Sequence, residues 1–346
     1  MSSPSAVAAE TGTRELTFSQ AVNEALAEEL RRDPTVFVIG EDVAEAGTPF
    51  KVLSGLVEEF GPERIIDSPI SEAGISGIGL GAAMTGMRPV VDIMFGDFMT
   101  LVMDQLLNQA AKIHYMFGGQ VSFPILYRAA VGGGGLVAAQ HSQSPYSMFM
   151  NVAGLKMFLP STPYDMKGLL KTAIRDNNPV ISFESSRLMG RNGPVPEDDY
   201  TIPFGKADVK REGDQVTVVA LAWLVHEALA AAEELAKDGV SVEVVDPRTL
   251  VPLDKETIRN SVQKTGRLVI ADEAGPTAGF SAEVAAVVTE DAATFARLKA
   301  PVKRVCALQV PIPYSPILES HVFPDRNRIV AGIREVLRGG RSAEAA

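Results

Sequence analysis

Cysteine is almost missing from this chain: Cys306 is the only one in 346 residues. A lone thiol forms no intrachain disulfide, and zinc held by clustered thiolates is excluded. A cytoplasmic location is therefore expected. Histidine is nearly as scarce, with only His114, His141, His226 and His321. Positive charge is in deficit, since 32 Lys and Arg face 43 Asp and Glu, for a net charge of −11. Nucleic-acid phosphates need a basic face, so no nucleic-acid partner is expected. Long apolar runs are missing as well. The most apolar stretch, Ile75 to Phe95, is broken by four glycines, Arg88, Pro89 and Asp92, so no membrane span is expected. The spaced glycines of a dinucleotide fold are absent, which speaks against a nicotinamide dehydrogenase.

What remains is an ordinary globular composition, 46% hydrophobic and 22% charged, in a chain long enough for two domains. Residues 1–13 are rich in Ser and Ala, carry no basic residue, and read as a disordered lead-in rather than a signal peptide. Thr17 reads as a helix cap, with Ala21, Val22, Ala25, Leu26 and Leu30 at helical spacing behind it. Short apolar runs at Val36–Ile39, Pro89–Met94, Phe123–Arg128 and Pro179–Glu184 read as strands. Helices are expected around 52–60, 76–85, 101–115 and 163–175, the last with a proline near its start. Residues 185–203 hold three prolines, two glycines and the acidic run Glu197–Asp199, and read as a surface linker. Alternation then restarts: strands near 216–222, 240–246, 267–272 and 302–308, helices near 225–237, 254–264, 280–288 and 326–337. Residues 339–346 read as a flexible tail. The fold class expected is α/β in two domains, 14–184 and 204–338, each a mainly parallel sheet covered by helices.

Two clusters carry chemistry. His141 lies in Gln140-His141-Ser142-Gln143-Ser144 behind the glycine run Gly132–Gly135. It is either a loop histidine tied to backbone or a functional group presented by a loop. The glycine run lacks the Lys-Ser/Thr of a phosphate loop and reads as a close backbone approach. Glu72 closes Asp67-Ser68-Pro69-Ile70-Ser71-Glu72 at the head of an apolar helix. There it either serves the helix dipole or, partly desolvated, holds a proton near neutral pH.

Those motifs, with Asp104-Gln105-Leu106-Leu107-Asn108-Gln109-Ala110-Ala111-Lys112, Tyr115-Met116-Phe117-Gly118-Gly119, Gly154-Leu155-Lys156, Pro160-Ser161-Thr162-Pro163 and Ala173-Ile174-Arg175-Asp176-Asn177-Asn178-Pro179, resemble one family in register from about Thr17 to Leu337. It is the β subunit of the thiamine-diphosphate-dependent first component of pyruvate, acetoin and branched-chain 2-oxo acid dehydrogenase complexes. The resemblance implies a transketolase-like pyrimidine-binding domain followed by a transketolase C-terminal-like domain. It assigns Glu72 to the ring nitrogen N1′ of the cofactor's aminopyrimidine, Phe98 to stacking on that ring and Met94 to the same pocket. It sets His141 at the reacting centre and Glu41 on a proton relay between active sites. On the residues alone, Phe98 reads as a core side chain and Glu41 as a structural carboxylate. The carbonyls of Ile125 and Ala173, with Asp176 and Asn178, match a potassium site.

The family's diphosphate is held through Mg²⁺ by Gly-Asp-Gly followed by Asn. Here Gly-Asp occurs only at Gly96-Asp97 and Gly213-Asp214, and neither continues with Gly. The resemblance thus implies a half-site completed by an α subunit that carries most of the Mg²⁺ ligation, in an α2β2 heterotetramer passing an acyl group to a dihydrolipoyl acyltransferase core. Transketolase and deoxyxylulose phosphate synthase carry that motif in the same chain, so its absence disfavours them. Met94-Phe95-Gly96-Asp97-Phe98 and Tyr115–Gly119 read closer to acetoin-type subunits, whereas Ser142–Pro145 resembles branched-chain members. Acetoin or pyruvate is the favoured substrate; a branched-chain 2-oxo acid, or a non-catalytic scaffold paralogue, is the alternative.

Overall fold

The structure, a computed structural model, describes residues 12–339. The lead-in over 1–11 and the tail over 340–346 lie outside the described residues. The chain forms two compact units. One runs to Val131 and resumes from Gln140 to Phe204; the other takes Gly132–Ala139 and the chain from Gly205 on.

The first unit runs β1 (Thr13–Thr17), α1 (Phe18–Arg32), β2 (Val36–Gly40), α2 (Leu56–Phe60), β3 (Ile65–Asp67), α3 (Glu72–Met84) and β4 (Arg88–Phe95). It continues through α4 (Ile113–Met116), β5 (Leu126–Val131), α5 (Ser147–Met150), β6 (Lys156–Phe158), α6 (Pro163–Arg175), β7 (Val180–Ser185) and β8 (Asn192–Pro196). Within this unit the main sheet has the order β6-β7-β5-β4-β2-β3, with every pair parallel. Its central strands are buried end to end, which is why they read as continuous apolar runs rather than alternating ones.

Thr17 caps α1 as expected: its hydroxyl accepts from the Gln20 amide at 3.1 Å, and the Gln20 side chain accepts from the Thr17 amide at 2.8 Å. The apolar face of α1 is buried, and its polar face meets α6 through ion pairs. Lys167 and Lys171, both fully buried, bind Glu24, Glu28 and Asp199, while Arg175 binds Glu29 at 2.6 Å.

Three stretches differ from the sequence reading. The linker expected over 185–203 carries a 3-10 turn at Ser186–Leu188 and the strand β8. β8 pairs antiparallel with β1, so that Thr13, expected in the lead-in, opens a strand. A two-stranded edge ribbon satisfies backbone groups that a free linker would leave to water. The helix expected over 101–115 is a 3-10 turn, Gly96–Val102, then a π-helix, Asp104–Ala110, then α4. The Asp104 carboxylate accepts from Asn108 and Gln109 side chains, each at 2.8 Å, a reach that suits wide winding. The strand expected from Phe123 starts at Leu126, because Pro124 has no amide to donate to a ladder.

The second unit contains β9 (Asp208–Arg211), β10 (Val216–Ala220), α7 (Trp223–Ala236), β11 (Val242–Asp246), β12 (Thr249–Val251), α8 (Lys255–Thr265) and β13 (Leu268–Asp272). It ends with α9 (Phe280–Thr289), α10 (Ala292–Phe295), β14 (Lys303–Cys306), α11 (Pro316–Val322) and α12 (Arg326–Leu337). Its sheet, β14-β13-β10-β11-β9, is parallel except for β9. Val218, Val244, Val269 and Val305 pack there with Ala228, Ala232, Ile329 and Ile333. The glycine run belongs to this unit. A Cβ on Gly133 would stand 2.1 Å from a Phe323 ring carbon, and the Gly134 amide donates to the buried Glu319 carboxylate at 3.1 Å. Among the described residues, no helix is long and apolar enough to cross a membrane.

Candidate active site

In an open parallel sheet, ligand sites form beyond the carboxyl ends of the strands. Glu41 directly follows β2, Glu72 follows β3, Met94 and Phe98 lie at and just after the end of β4, and His141 follows β5. Four separate motifs therefore converge on one edge of the first unit.

The loops beyond β2 and β3 are tied together. The Asp67 carboxylate accepts from the Ala44 amide at 2.8 Å, and the Ser68 amide donates to the Gly40 carbonyl at 2.9 Å. The first residues of Asp-Ser-Pro-Ile-Ser-Glu thus hold the Glu41 loop. Glu41 and Glu72 are both half-buried. Burial pushes the Glu41 carboxyl above its ordinary range, and the negative charges of Asp42 and Glu72 push it further. The two glutamates are therefore electrostatic neighbours, with Glu72 in the first turn of α3.

β4 ends in an irregularity. Its pairing with β5 shifts register between Asp92 and Phe95, and Met94 sits there at φ 64°. A non-glycine residue in the left-handed region needs outside support. Here the Met94 amide donates to Asp92 Oδ1 at 2.9 Å. Asp92 Oδ2 in turn accepts from Arg128 Nη1 at 2.7 Å, and Arg128 grips Glu184 in a two-point contact of 2.9 and 2.8 Å. This triad spans three adjacent strands, and all three side chains are buried. The bulge turns the Met94 side chain away from its strand neighbours, and it stays half-buried.

Phe98 is half-exposed, while the neighbouring core positions are taken by Met99 and Val102, both fully buried. The His141 ring meets Phe95 edge to face at 4.9 Å and Phe98 at 5.2 Å, and Phe95 meets Phe98 at 6.1 Å. Phe50 closes the far side of Phe95 at 6.0 Å. Beside His141, the Ser142 and Ser144 hydroxyls are buried without a partner among the described residues.

The set assembled here is a carboxyl, a thioether, an aromatic face, an imidazole and two unpaired hydroxyls. The nearby guanidinium, Arg128, is consumed by Asp92 and Glu184. Such a set fits a flat, nitrogen-bearing ring of the aminopyrimidine kind. It does not fit a diphosphate, which calls for cations or bundled backbone amides.

The residues matched to potassium lie elsewhere, at the amino ends of β5 and β7. The Ile125 carbonyl accepts from the Val180 amide at 2.9 Å, and the Ala173 carbonyl from the Asp176 amide at 3.2 Å. Asp176 accepts from the Asn178 side chain at 2.7 Å and from the Lys156 ammonium at 2.5 Å. Among the described residues, no group of three or more His, Cys, Asp or Glu could hold a metal ion.

Sequence reasoning missed Asp92, Arg128 and Glu184, as well as Asp97 and Gln143, which are bound to each other. A signal existed for the first three: each is a lone charge inside an otherwise apolar strand, and a buried charge calls for a partner.

Residues 14–191 match the family model described as transketolase, pyrimidine binding domain, and residues 205–329 match transketolase, C-terminal domain. The chain is 47% identical to the acetoin:2,6-dichlorophenolindophenol oxidoreductase subunit beta of Bacillus subtilis (strain 168), covering 94% of this chain and 98% of the relative. It is 46% identical to the 2-oxoisovalerate dehydrogenase subunit beta of the same organism, over 93% and 98%. It is 45% identical to the pyruvate dehydrogenase E1 component subunit beta of Rickettsia bellii (strain RML369-C), again over 93% and 98%. Among solved structures, a split-gene transketolase described as an inactive β4 tetramer superposes with a TM-score of 0.76 at 24% identity, over 94% of this chain and 99% of that one. The likeness extends the two-domain transketolase fold to this chain.

Proposed function

The chain belongs to the family of β subunits of acetoin, branched-chain 2-oxo acid and pyruvate dehydrogenases, and we propose that it supplies the aminopyrimidine half of a thiamine-diphosphate site completed by a separate α subunit. The observation that carries this reading is the contact between Phe98 and His141. These residues, far apart in sequence, are matched respectively to the cofactor ring and the reacting centre, and they meet edge to face at 5.2 Å.

Bound there, thiamine diphosphate supplies a carbon nucleophile that cleaves the bond beside the substrate carbonyl. The Glu72 carboxyl would hydrogen-bond ring nitrogen N1′. Phe98 presents its exposed face to the ring, and Met94 fills the edge beside it. His141 gives or takes a proton at the substrate carbonyl oxygen. Glu41, its pKa raised by burial and by the charges of Asp42 and Glu72, serves as a proton relay. Aromatic bulk from Phe95 and Phe98 against the imidazole suits a short acyl group, so acetoin or pyruvate is the proposed substrate, and the acyl product passes to a lipoyl-bearing acyltransferase. The donor set at Ile125, Ala173, Asp176 and Asn178 is all oxygen and suits a structural potassium ion. Mg²⁺ falls to the α chain.

A partner is supported by apolar surface. Ile70, Ile78, Tyr115, Met116 and Phe117 are all more than half exposed in this unit, with Tyr115 at 88%. The test is co-expression with a candidate α chain bearing Gly-Asp-Gly and Asn, assayed with a dye acceptor, thiamine diphosphate and Mg²⁺ on acetoin, pyruvate and branched-chain 2-oxo acids. Turnover by the pair and by neither chain alone is expected, with Glu72→Gln losing at least about a hundredfold. Micromolar binding of thiamine diphosphate and Mg²⁺ by the isolated chain would overturn the half-site, and near-normal turnover of Glu72→Gln would remove Glu72 from the chemistry.

A further inference from the structure

A catalytic histidine is commonly oriented by a carboxylate or carbonyl on its second ring nitrogen. Among the described residues, the His141 imidazole has no hydrogen bond at all, only the edges of Phe95 and Phe98. Ring contacts limit tilt but do not fix the position of the backbone that carries the ring. The chain leaves the first unit at Gly132 and re-enters it at Gln140, one residue before His141. Whatever fixes that re-entry sets where the imidazole stands.

The segment 95–98 does so at three points. Gly96 lies so close that a Cβ on it would stand 2.6 Å from a Val131 methyl and 3.2 Å from Pro145 Cδ. Phe95 and Phe98 bracket the His141 ring. Between them Asp97, 8% exposed, accepts from Gln143 Nε2 at 2.6 Å through Oδ1 and from the Gln143 amide at 3.4 Å through Oδ2. The side-chain bond is short and charge-assisted, and it is the directional element of the latch.

We propose that Asp97 is a positioning residue for His141: by holding Gln143 it fixes the backbone on which the imidazole is carried, leaving both ring nitrogens open to substrate. This rests on the role given to His141 above. A loop pinned through a carboxylate two residues away keeps the histidine free of a competing hydrogen bond while denying it alternative positions.

The experiment has two arms. On the cofactor-free chain, amide hydrogen exchange across 140–146 is compared for wild type, Asp97→Ala, Asp97→Asn and Gln143→Ala. Loss of the charge-assisted bond predicts exchange faster by about tenfold to a hundredfold in Asp97→Ala. Gln143→Ala should behave likewise, and Asp97→Asn, which keeps an oxygen for Gln143 Nε2 but loses the charge, should fall between wild type and Asp97→Ala. In the α-partnered complex, Asp97→Ala should lower kcat by about tenfold or more with little change in cofactor KM, and should cost nothing further in a His141→Ala background. Unchanged exchange, or effects of Asp97→Ala and His141→Ala that multiply, would overturn the proposal. Faster exchange in the variants, with no turnover by the wild-type complex, would instead count against the proposed function and leave the latch standing.

Discussion

Arg128→Met is the sharpest test of how the candidate site is built. In the native chain one guanidinium serves two buried carboxylates, Asp92 at 2.7 Å and Glu184 at 2.8 Å. Methionine keeps most of the volume and removes the charge, leaving both acids facing a site from which water is excluded. Breaking a buried ion pair by deleting one partner costs roughly 3–5 kcal/mol. In a domain stable by about 5–15 kcal/mol, that is a large share, and it lowers Tm by on the order of 6–20 °C. The loss should depend on pH with a definite sign. Burial already pushes Glu184 up, against the pull of Arg128. Without Arg128, Glu184 loses the attraction that opposes burial and titrates still further above its unfolded value. Stability is then fully present below the unfolded pKa and lost as pH rises through the folded one. The deficit should therefore be small near pH 4 and full at pH 8. The only tryptophan, Trp223, lies in the second unit, so far-ultraviolet circular dichroism is the assay. Glu184→Gln, which leaves Arg128 paired with Asp92, should cost less than Arg128→Met. Equal stability of Arg128→Met and wild type at pH 8, or a deficit that does not change with pH, would refute the reasoning.

Asp42→Asn removes one of the two negative charges that raise Glu41, so the limb of the pH–rate profile governed by Glu41 should move to lower pH in the partnered enzyme; a fixed limb would separate Glu41 from the rate. Burial pushes Glu28 up, but the hydrogen bonds and charges of Lys167 and Lys171 outweigh it and hold the carboxyl below 4.5. A depressed carboxyl stabilises above its unfolded pKa and loses that contribution as pH falls through its folded one, so Glu28→Gln should melt earlier than wild type at pH 7, with the two curves converging in acid. Gly133→Ala drives a methyl onto Phe323, whose ring lies 2.1 Å from that Cβ position; it should destabilise the second unit by about 1–3 kcal/mol, read by Trp223 fluorescence.

The alternation of apolar runs and amphipathic helices was legible because parallel strands are buried on both faces and helices on one. α6 and α12 fall at the expected residues, and β4, β7 and β10 within one or two at each end. β1, β3, β6, β8, β9 and β12 were missed, since strands of three to five residues are too short to show a pattern. Three of the five residues of β8 are proline or glycine, and it pairs with a strand far upstream, so no local signal could announce it. The winding of 96–110 was missed for another reason: its departure from α-geometry depends on Asp104 drawing in two side chains, a detail invisible to periodicity.

The site divides along the same line. Glu41, Glu72, Phe98 and His141 were nameable because each sits in a contiguous motif; Glu41, Glu72 and Phe98 converge because each lies beyond the carboxyl end of a strand in one parallel sheet, whereas His141 joins them only after the chain has left the unit and returned. What holds them was not nameable. Asp92, Arg128 and Glu184 meet only through the register of three neighbouring strands, and Asp97 meets Gln143 only after the chain has left the unit and returned. A reading by motif therefore finds the groups proposed to face the ligand and passes over those that set their positions. The second kind cost the fold most, as buried charge and left-handed backbone at Met94, and such a cost persists where the geometry it enforces is used.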